Sequence, residues 1–493
     1  LATICFTSTP ELLADKLSAL RVSENMRFLV RKDGSAFFPL ADTAWAIASM
    51  LNRGEVEKYL QHRKDQKFNM IALIAFSSYR NDIIANVYGD YPFEVNSGKW
   101  NPLRPIITPG GSPVDSIEYD YWDHLEYIID ASASNGMYVI LLPTWGNYVA
   151  GAWGGQDTSQ IIFNPTNSYE YGRWIGQRFK SKRNIIWMMG GDRNAVYDDK
   201  DYRNVFRAIA EGVADGVNGI NQQDTEANYS TTLMSYHPRK YMPNSSEWFH
   251  NDPWLDFNST QDQPKDQITA IELDYGLYPA KPTWLFEGRY ENLVQRNDIY
   301  KDWQIRFQSY QTVFAGGCGV TYGHMNVFGF DIGDVSKSID PDKTWESSLD
   351  DPGAMDMQHL LKLMSSLSNG RFLDRIPDQS LIDGDVGGMK RTEGARSNRL
   401  QATRGRKGDY AMIYSANGRN IRVNMARLAA PLMNAFWFNP RNGKWRIKDR
   451  ESTNRKPFAT RIPSGPGAPM RECDPPGSVG NGNDWVLVLM AVE

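Results

Sequence analysis

The sequence predicts an α/β chain: a (β/α)8 TIM barrel followed by an all-β sandwich domain. Three observations carry that prediction. Apolar runs of strand length recur eight times before residue 370, each ending in polar or aromatic residues and most followed by a helical stretch. Several of them, MIALIAF, YVILLP and IIWMM among them, are nearly continuous, as in strands buried on both faces of a parallel sheet. After Asn369-Gly370 the helical patterns fade, and short strands alternate with Gly, Pro and Asn turns. The expected boundaries are an N-terminal extension over residues 1–26, a barrel over 27–370 and a sandwich over 371–493.

Taken in order, Ser8-Thr9-Pro10-Glu11 opens a short helix. Asp33-Gly34, between residues 27–32 and 35–40, is a hairpin signal. The eight barrel strands read as residues 37–45, 68–77, 137–145, 184–192, 230–238, 255–261, 282–291 and 317–330. Helical stripes lie between them: Trp122, Leu125, Ile128 and Ile129 with Gly136 beyond; Tyr171, Trp174, Ile175 and Phe179; Val205, Ile209 and Val213. A doubly wound sheet is the rival architecture. It normally brings a glycine-rich nucleotide loop, and Gly316-Gly317-Cys318-Gly319 misses that spacing. In the tail, residues 410–414, 421–425, 435–438 and 485–492 are strands, with Asn417-Gly418 and Asn442-Gly443 as turns.

Composition narrows the function. A net charge of −4 excludes a strongly basic nucleic-acid binder. The longest apolar run, residues 486–492, is far short of the roughly 18 residues of a membrane span. Cys5, Cys318 and Cys473 cannot all pair, and no CxxC occurs, which argues against a disulfide framework or a structural zinc site. None of His62, His124, His237, His250, His324 and His359 forms HxH or HExxH, and no GxSxG elbow occurs. The expectation is therefore no metal and no cofactor. The aromatic content of 12% suits carbohydrate binding and a large aromatic core equally. The apolar stub at residues 1–7 carries the expectation of a secreted or periplasmic protein. Charge is unevenly divided: residues 371–493 carry net +9 and the remainder net −13. Opposed charges either help the two domains dock or let the basic one attract a polyanion.

In a (β/α)8 barrel the strand C-termini converge on one mouth, so the polar residues there form the candidate site. They are Asp42 and Trp45 (strand 1), Ser77, Tyr79 and Arg80 (strand 2), Trp145 and Asn147 (strand 3), Asp192 and Arg193 (strand 4), His237 (strand 5), Gln261 (strand 6), Glu287 (strand 7), and Tyr322 and His324 (strand 8). Asp192 and Glu287 end strands on opposite sides of the ring. Two carboxyls so placed suit glycoside hydrolysis, in which one protonates the leaving oxygen and the other attacks the anomeric carbon or activates water. Gly190-Gly191 would leave room for close ligand approach. Plainer readings stand beside these. Asp192 also suits a helix cap, and Glu287 a partner for Arg289 or Arg306. Asp42 suits a hydroxyl-binding group or a strand cap. His237 and His324 suit hydroxyl contacts or satisfied core positions, and Trp45 and Trp145 suit stacking or packing.

The strings FLVRKDGSAFFPLADTAW, FNMIALIAF, YVILLPTWG, IIWMMGGDRN and PTWLFEGRYE resemble the apiosidase-like glycoside hydrolases, family 140 and its relatives. The tail strings GDYAMIYSANGRNIRVNM and AFWFNPRNGKW resemble the C-terminal domain that accompanies this barrel, a type labelled collagen-binding. The resemblance runs from about Leu20 to the end of the chain. It implies cleavage of apiosidic bonds in the pectin rhamnogalacturonan II, with no cofactor. It also implies Asp192 as acid/base and Glu287 as nucleophile or base, and it leans toward retention. Asp42, Trp45, Trp145, Asn147, His237, Gln261, Tyr322 and His324 are the expected substrate-binding residues. The Asn-Glu pair that ends strand 4 in the wider clan is replaced by Gly191-Asp192.

Overall fold

A computed structural model of the chain describes residues 17–79, 82–151, 159–197, 199–240, 243–261, 267–295, 298–330, 335–388, 398–447 and 449–492. The stub, the helix expected at residues 8–11, Cys5 and Arg80 lie outside the described residues.

Each of the eight apolar runs contains one strand of a single parallel sheet. The strands are β1 Leu40–Thr43, β2 Met70–Ile74, β3 Tyr138–Leu142, β4 Ile185–Gly190, β5 Met234–His237, β6 Asn258–Gln261, β7 Thr283–Glu287 and β8 Gly319–Tyr322. Their order is β5-β4-β3-β2-β1-β8-β7-β6. The ring closes between β5 and β6 through Asp256 N–H to Met234 O (2.9 Å), Ser235 Oγ to Phe257 O (2.6 Å) and Ser259 Oγ to Tyr236 O. All eight strands are shorter than the sequence reading, strand 8 most of all, since it ends at Tyr322 rather than at residue 330.

The continuous apolar runs are explained by where alternate residues go. Ala41, Ala72, Ile140, Met188, Trp284 and Phe286 fill the barrel interior. Their neighbours Ile71, Leu73, Val139, Leu141, Trp187 and Met189 pack outward under the helices.

The surrounding helices are α1 Arg53–Asp65, α2 Tyr121–Ser134, α3 Pro165–Arg178, α4 Arg203–Asn218, α5 Gln267–Tyr275, α6 Asp302–Phe314 and α7 Pro352–Ser365. Asn52, Asp120 and Asn164 start α1, α2 and α3 with reciprocal capping boxes. Between β5 and β6 a single turn, Ser246–Phe249, stands in place of a full helix. The Asp33-Gly34 turn is present, with Gly34 at φ +84°. The ribbon it belongs to pairs Leu29–Arg31 chiefly with the upstream Leu20–Val22, which covers the barrel's lower end. No helix among the described residues is long and apolar enough to cross a membrane.

The C-terminal region is built on an antiparallel sheet whose centre runs β9-β10-β12-β11: Leu400–Gly405, Tyr410–Ser415, Trp485–Ala491 and Leu432–Asn439. One face packs Ile413, Trp437 and Leu487 against Ile421 and Cys473 of a two-stranded second layer. The other face packs on the barrel, where Tyr310 of α6 stacks on Tyr414 at 5.1 Å. Here Arg306 of α6, buried, binds Asp484 (3.0 Å), Asp356 (2.6 Å) and Asp302 (2.6 Å). This buried cluster runs against the docking expectation: the acid-rich barrel supplies the cation, and the basic domain supplies an anion. The outlying pair Arg399–Glu272, at 3.8 Å, follows the expected sense.

Candidate active site

The end of β4 is shaped by its two glycines. Gly190 and Gly191 have φ of +89° and +115°. A Cβ on Gly190 would lie 2.4 Å from His237 O, and one on Gly191 would lie 2.8 Å from the Trp145 ring. The room they leave is therefore taken by the neighbouring strand ends rather than by a ligand, which corrects the sequence expectation. Gly191 N–H donates to His237 O (3.0 Å), and Gly146 N–H donates to Gly191 O (3.1 Å). Asp192 follows at φ +51°, in the left-handed region. Arg193 holds it there, donating to Asp192 O (2.8 Å) and Gly151 O (3.0 Å) and accepting at its own carbonyl from Tyr236 Oη (2.6 Å). Asp192 caps no helix, since α4 begins at Arg203.

Glu287 ends β7 at the register position of Gln261. Three groups converge on its carboxylate. Tyr290 Oη donates to Oε1 (2.5 Å), Gln261 Nε2 donates to Oε2 (2.8 Å), and His237 Nε2 lies 2.8 Å from Oε2. Tyr290 is itself fixed by Trp45 Nε1, which donates to its oxygen at 2.6 Å. Trp45 stacks near-parallel on the His237 ring at 5.9 Å, and Trp145 meets that ring edge-on at 5.6 Å. A cavity of about 410 Å³ opens beside Glu287, lined by Lys240, Gly288, Arg289 and Lys337 among others. Arg306 is not a partner of Glu287, being engaged by Asp302, Asp356 and Asp484.

The two carboxyls have opposite surroundings. Asp192 is half-buried, and its Oδ1, a buried atom, accepts no hydrogen bond among the described residues. Burial first, and then the negative charge of Glu287, push its carboxyl up to about 6; His237, Arg193 and Lys240 pull the other way. A carboxyl so placed holds its proton to higher pH than an ordinary Asp and can donate it, while a carboxylate that accepts from Tyr290 and Gln261 suits attack on carbon. Among the described residues, no group of three or more His, Cys, Asp or Glu is arranged to hold a metal ion.

Around this pair the structure gathers Trp45, Trp145, His237 and Gln261. Asn147 starts a single helical turn just past β3, with Nδ2 on Gln160 Oε1 (2.8 Å) and no partner for Oδ1 among the described residues. Three expected binders do not join the group. Asp42 is fully buried on the outer side of β1, where its Oδ2 accepts from Arg63 Nε and Tyr59 Oη, both at 2.6 Å. Tyr322, beside it on β8, points the same way and donates to Glu291 Oε2 at 2.5 Å. His324 is fully buried against Asp351 Oδ2 (2.8 Å) and accepts Asn326 N–H at Nδ1 (3.0 Å). Sequence reasoning also missed Tyr290. Its signal was an aromatic three residues after Glu287 in the Phe-Glu-Gly-Arg-Tyr string.

The family model described as "Apiosidase-like, catalytic domain" matches residues 23–369. A second, described as "Putative collagen-binding domain of a collagenase", matches residues 376–490. Among solved structures, a glycoside hydrolase family 5 protein from Bacteroides vulgatus ATCC 8482 is similar at 28% identity and a TM-score of 0.77, over 97% of this chain and 95% of that one. Another, named only "Glycoside hydrolase", is similar at 28% identity and a TM-score of 0.76, over 97% and 98%. No curated protein sequence matches the chain.

Proposed function

The chain belongs to the apiosidase-like family of glycoside hydrolases, and on that premise we propose that it cleaves apiosidic bonds in the side chains of the pectin rhamnogalacturonan II. Asp192 protonates the glycosidic oxygen as the bond to the anomeric carbon breaks. Glu287 attacks that carbon and forms a glycosyl ester with retention in view. Water then gives a proton to Asp192 and attacks the anomeric carbon, whose bond to the Glu287 oxygen breaks and frees the carboxylate. Trp45, Trp145, Asn147 and Gln261 form the walls that hold the sugar, and His237, fully buried behind them, braces Glu287.

One observation supports this division of labour above the rest: the contrast between a half-buried Asp192, whose carboxyl is pushed up to about 6 by desolvation and by Glu287, and a Glu287 on which Tyr290, Gln261 and His237 converge. Tyr290 and Gln261 fix the orientation of the attacking carboxylate. The net +9 of residues 371–493 supports attraction to anionic pectin. Such a substrate belongs to an enzyme working outside the cytoplasm.

The test is the sugar released. Incubation with rhamnogalacturonan II is expected to free apiose, and NMR of the first product is expected to show the configuration of the bond cleaved. Release of arabinose from arabinofuranosides, with nothing from apiosides, would replace apiose by another furanoside. Binding of carbohydrate with no release from any substrate would make the barrel a non-catalytic binder. Inversion in the first product would remove Glu287 as nucleophile.

A further inference from the structure

Between β2 and α2 the chain makes a long excursion at the mouth end of the barrel. Its centre is an antiparallel ribbon, Phe93–Asn96 with Lys99–Pro105, in which Val95 faces Trp100. Eight of the eighteen exposed large hydrophobic side chains among the described residues fall within residues 87–117. Such a concentration marks a surface that meets something.

The excursion is pinned rather than loose. Phe93 is buried 5.0 Å from Phe76 and 5.5 Å from Trp122. Trp122 Nε1 donates to Pro92 O (2.9 Å), and Thr108 N–H donates to Asp120 Oδ2 (2.8 Å). On this base Trp100 packs against the core, with its Nε1 fixed by Asp82 Oδ1 at 2.7 Å. Tyr91 lies on the outside of Trp100, with ring centres 5.2 Å apart and planes 26° from parallel. Tyr91 is 43% exposed, so the pair turns one aromatic face to solvent, with Asp82, Asn96 and Asn101 exposed or half-exposed around it.

We infer that Tyr91 and Trp100 form a distal carbohydrate subsite that stacks a pyranose ring of the substrate chain outside the catalytic mouth. The inference rests on the reading of the chain as a hydrolase of a branched polysaccharide. β2 stands between β1 and β3, whose ends carry Trp45 and Trp145, so a glycan leaving the mouth across those two indoles meets the β2 excursion next. A sugar ring offers one apolar C–H face and a rim of hydroxyls. The stacked pair matches the face, and Asp82 and Asn96 match the rim. Because the rings are held in place before binding, little is lost in ordering them.

The test measures binding separately from turnover. Glu287→Gln and Glu287→Gln/Tyr91→Ala, both as the full chain, are run through affinity gels containing rhamnogalacturonan II or homogalacturonan. The expected result is retardation of the single variant in at least one gel and a dissociation constant about tenfold weaker in the double variant, about 1.4 kcal/mol. Tyr91→Trp in the same background should keep the affinity. Equal retardation of the single and double variants, or none for either, overturns the inference. So does a wild-type dimer that Tyr91→Ala dissociates, since the patch would then face a second copy. Apiose release by the wild-type enzyme is scored apart. Release without platform binding sinks only this subsite; platform binding without release sinks only the apiosidase reading.

Discussion

Asp192→Asn is expected to stabilise the protein while disabling it, and the size of the gain follows from the site. Burial and the charge of Glu287 move the Asp192 carboxyl from an ordinary 3.8 to about 6. At 1.36 kcal/mol per pH unit of displacement, this is about 3 kcal/mol. The folded state holds this proton more tightly than the unfolded chain does. Stability therefore falls as pH rises from about 4 to about 6, and the full cost is carried above that window. Asn has no charge to bury and tolerates the left-handed backbone that Asp192 adopts at φ +51°.

The variant should therefore melt with the parent at pH 4 and above it at pH 7.5. With an unfolding entropy of about 2.1 cal/mol/K per residue over a barrel of roughly 350 residues, about 3 kcal/mol corresponds to about 4 °C. Scanning calorimetry across pH 4 to 8 measures it. The same variant should lose about 10²–10⁴-fold in turnover. It should lose less on an aryl glycoside whose leaving group needs no proton. Identical melting at all pH values, or a variant less stable at high pH, would refute the account of Asp192 as a carboxyl that is costly to ionise in the folded state.

Three further outcomes are expected. Tyr290→Phe removes a donor to Glu287 and strands Trp45 Nε1. Loss of a hydrogen bond to a charged group, about 1.5–3 kcal/mol, should lower kcat by about ten- to a hundredfold, and an unchanged kcat would dismiss the contact. Asp42→Asn leaves the buried Arg63 guanidinium without its counter-charge, so it should cost about 3–5 kcal/mol of stability in urea unfolding. A stable variant whose only defect is a raised KM would return Asp42 to the substrate site. Arg306→Met strands Asp484 and Asp356 between the two domains, and a loss of about 3–5 kcal/mol is expected. Unaltered thermal unfolding and unaltered protease sensitivity would show that the aromatic contacts alone hold the interface.

Much of the fold was legible because parallel barrel strands, covered on both faces, leave long apolar runs that survive any error in phase. The same property hid part of the site. In β1 and β8 every neighbour is buried, so hydrophobicity does not say which residue faces inward. A shift of one position sends Asp42 and Tyr322 under the helices. It is Tyr59 and Arg63, 17 and 21 residues away on α1, that reveal the direction of Asp42. Asp192 and Glu287 were legible because both glycines and the Phe-Glu-Gly string mark where strands stop. His324 was not, since beyond the end of β8 its position depends on the fold of a loop rather than on strand alternation. The ribbon around Trp100 left one local signal, Ser97-Gly98, where both residues take positive φ.

The misplaced residues are not idle in the outer layer; they hold the segment that carries the nucleophile candidate. Residues 287–291 face two ways. Tyr290 turns into the mouth, onto Glu287 and Trp45. Glu291 turns outward, where its carboxylate accepts from Tyr322 Oη (2.5 Å) and Gly353 N–H (2.8 Å). Tyr322 in turn lies under the Arg63 guanidinium at 5.6 Å, and Arg63 is fixed by Asp42. Asn292, the next residue, donates to Asp351, which also binds His324 and Lys343. Polar groups at strand ends therefore serve two jobs separated by one residue of alternation. Those facing in meet Glu287, and those facing out fix the backbone on which Glu287 stands. A reaction that needs a carboxylate held to within a fraction of an ångström needs both sets. The polar residues at the strand ends therefore include some that do not face the candidate site.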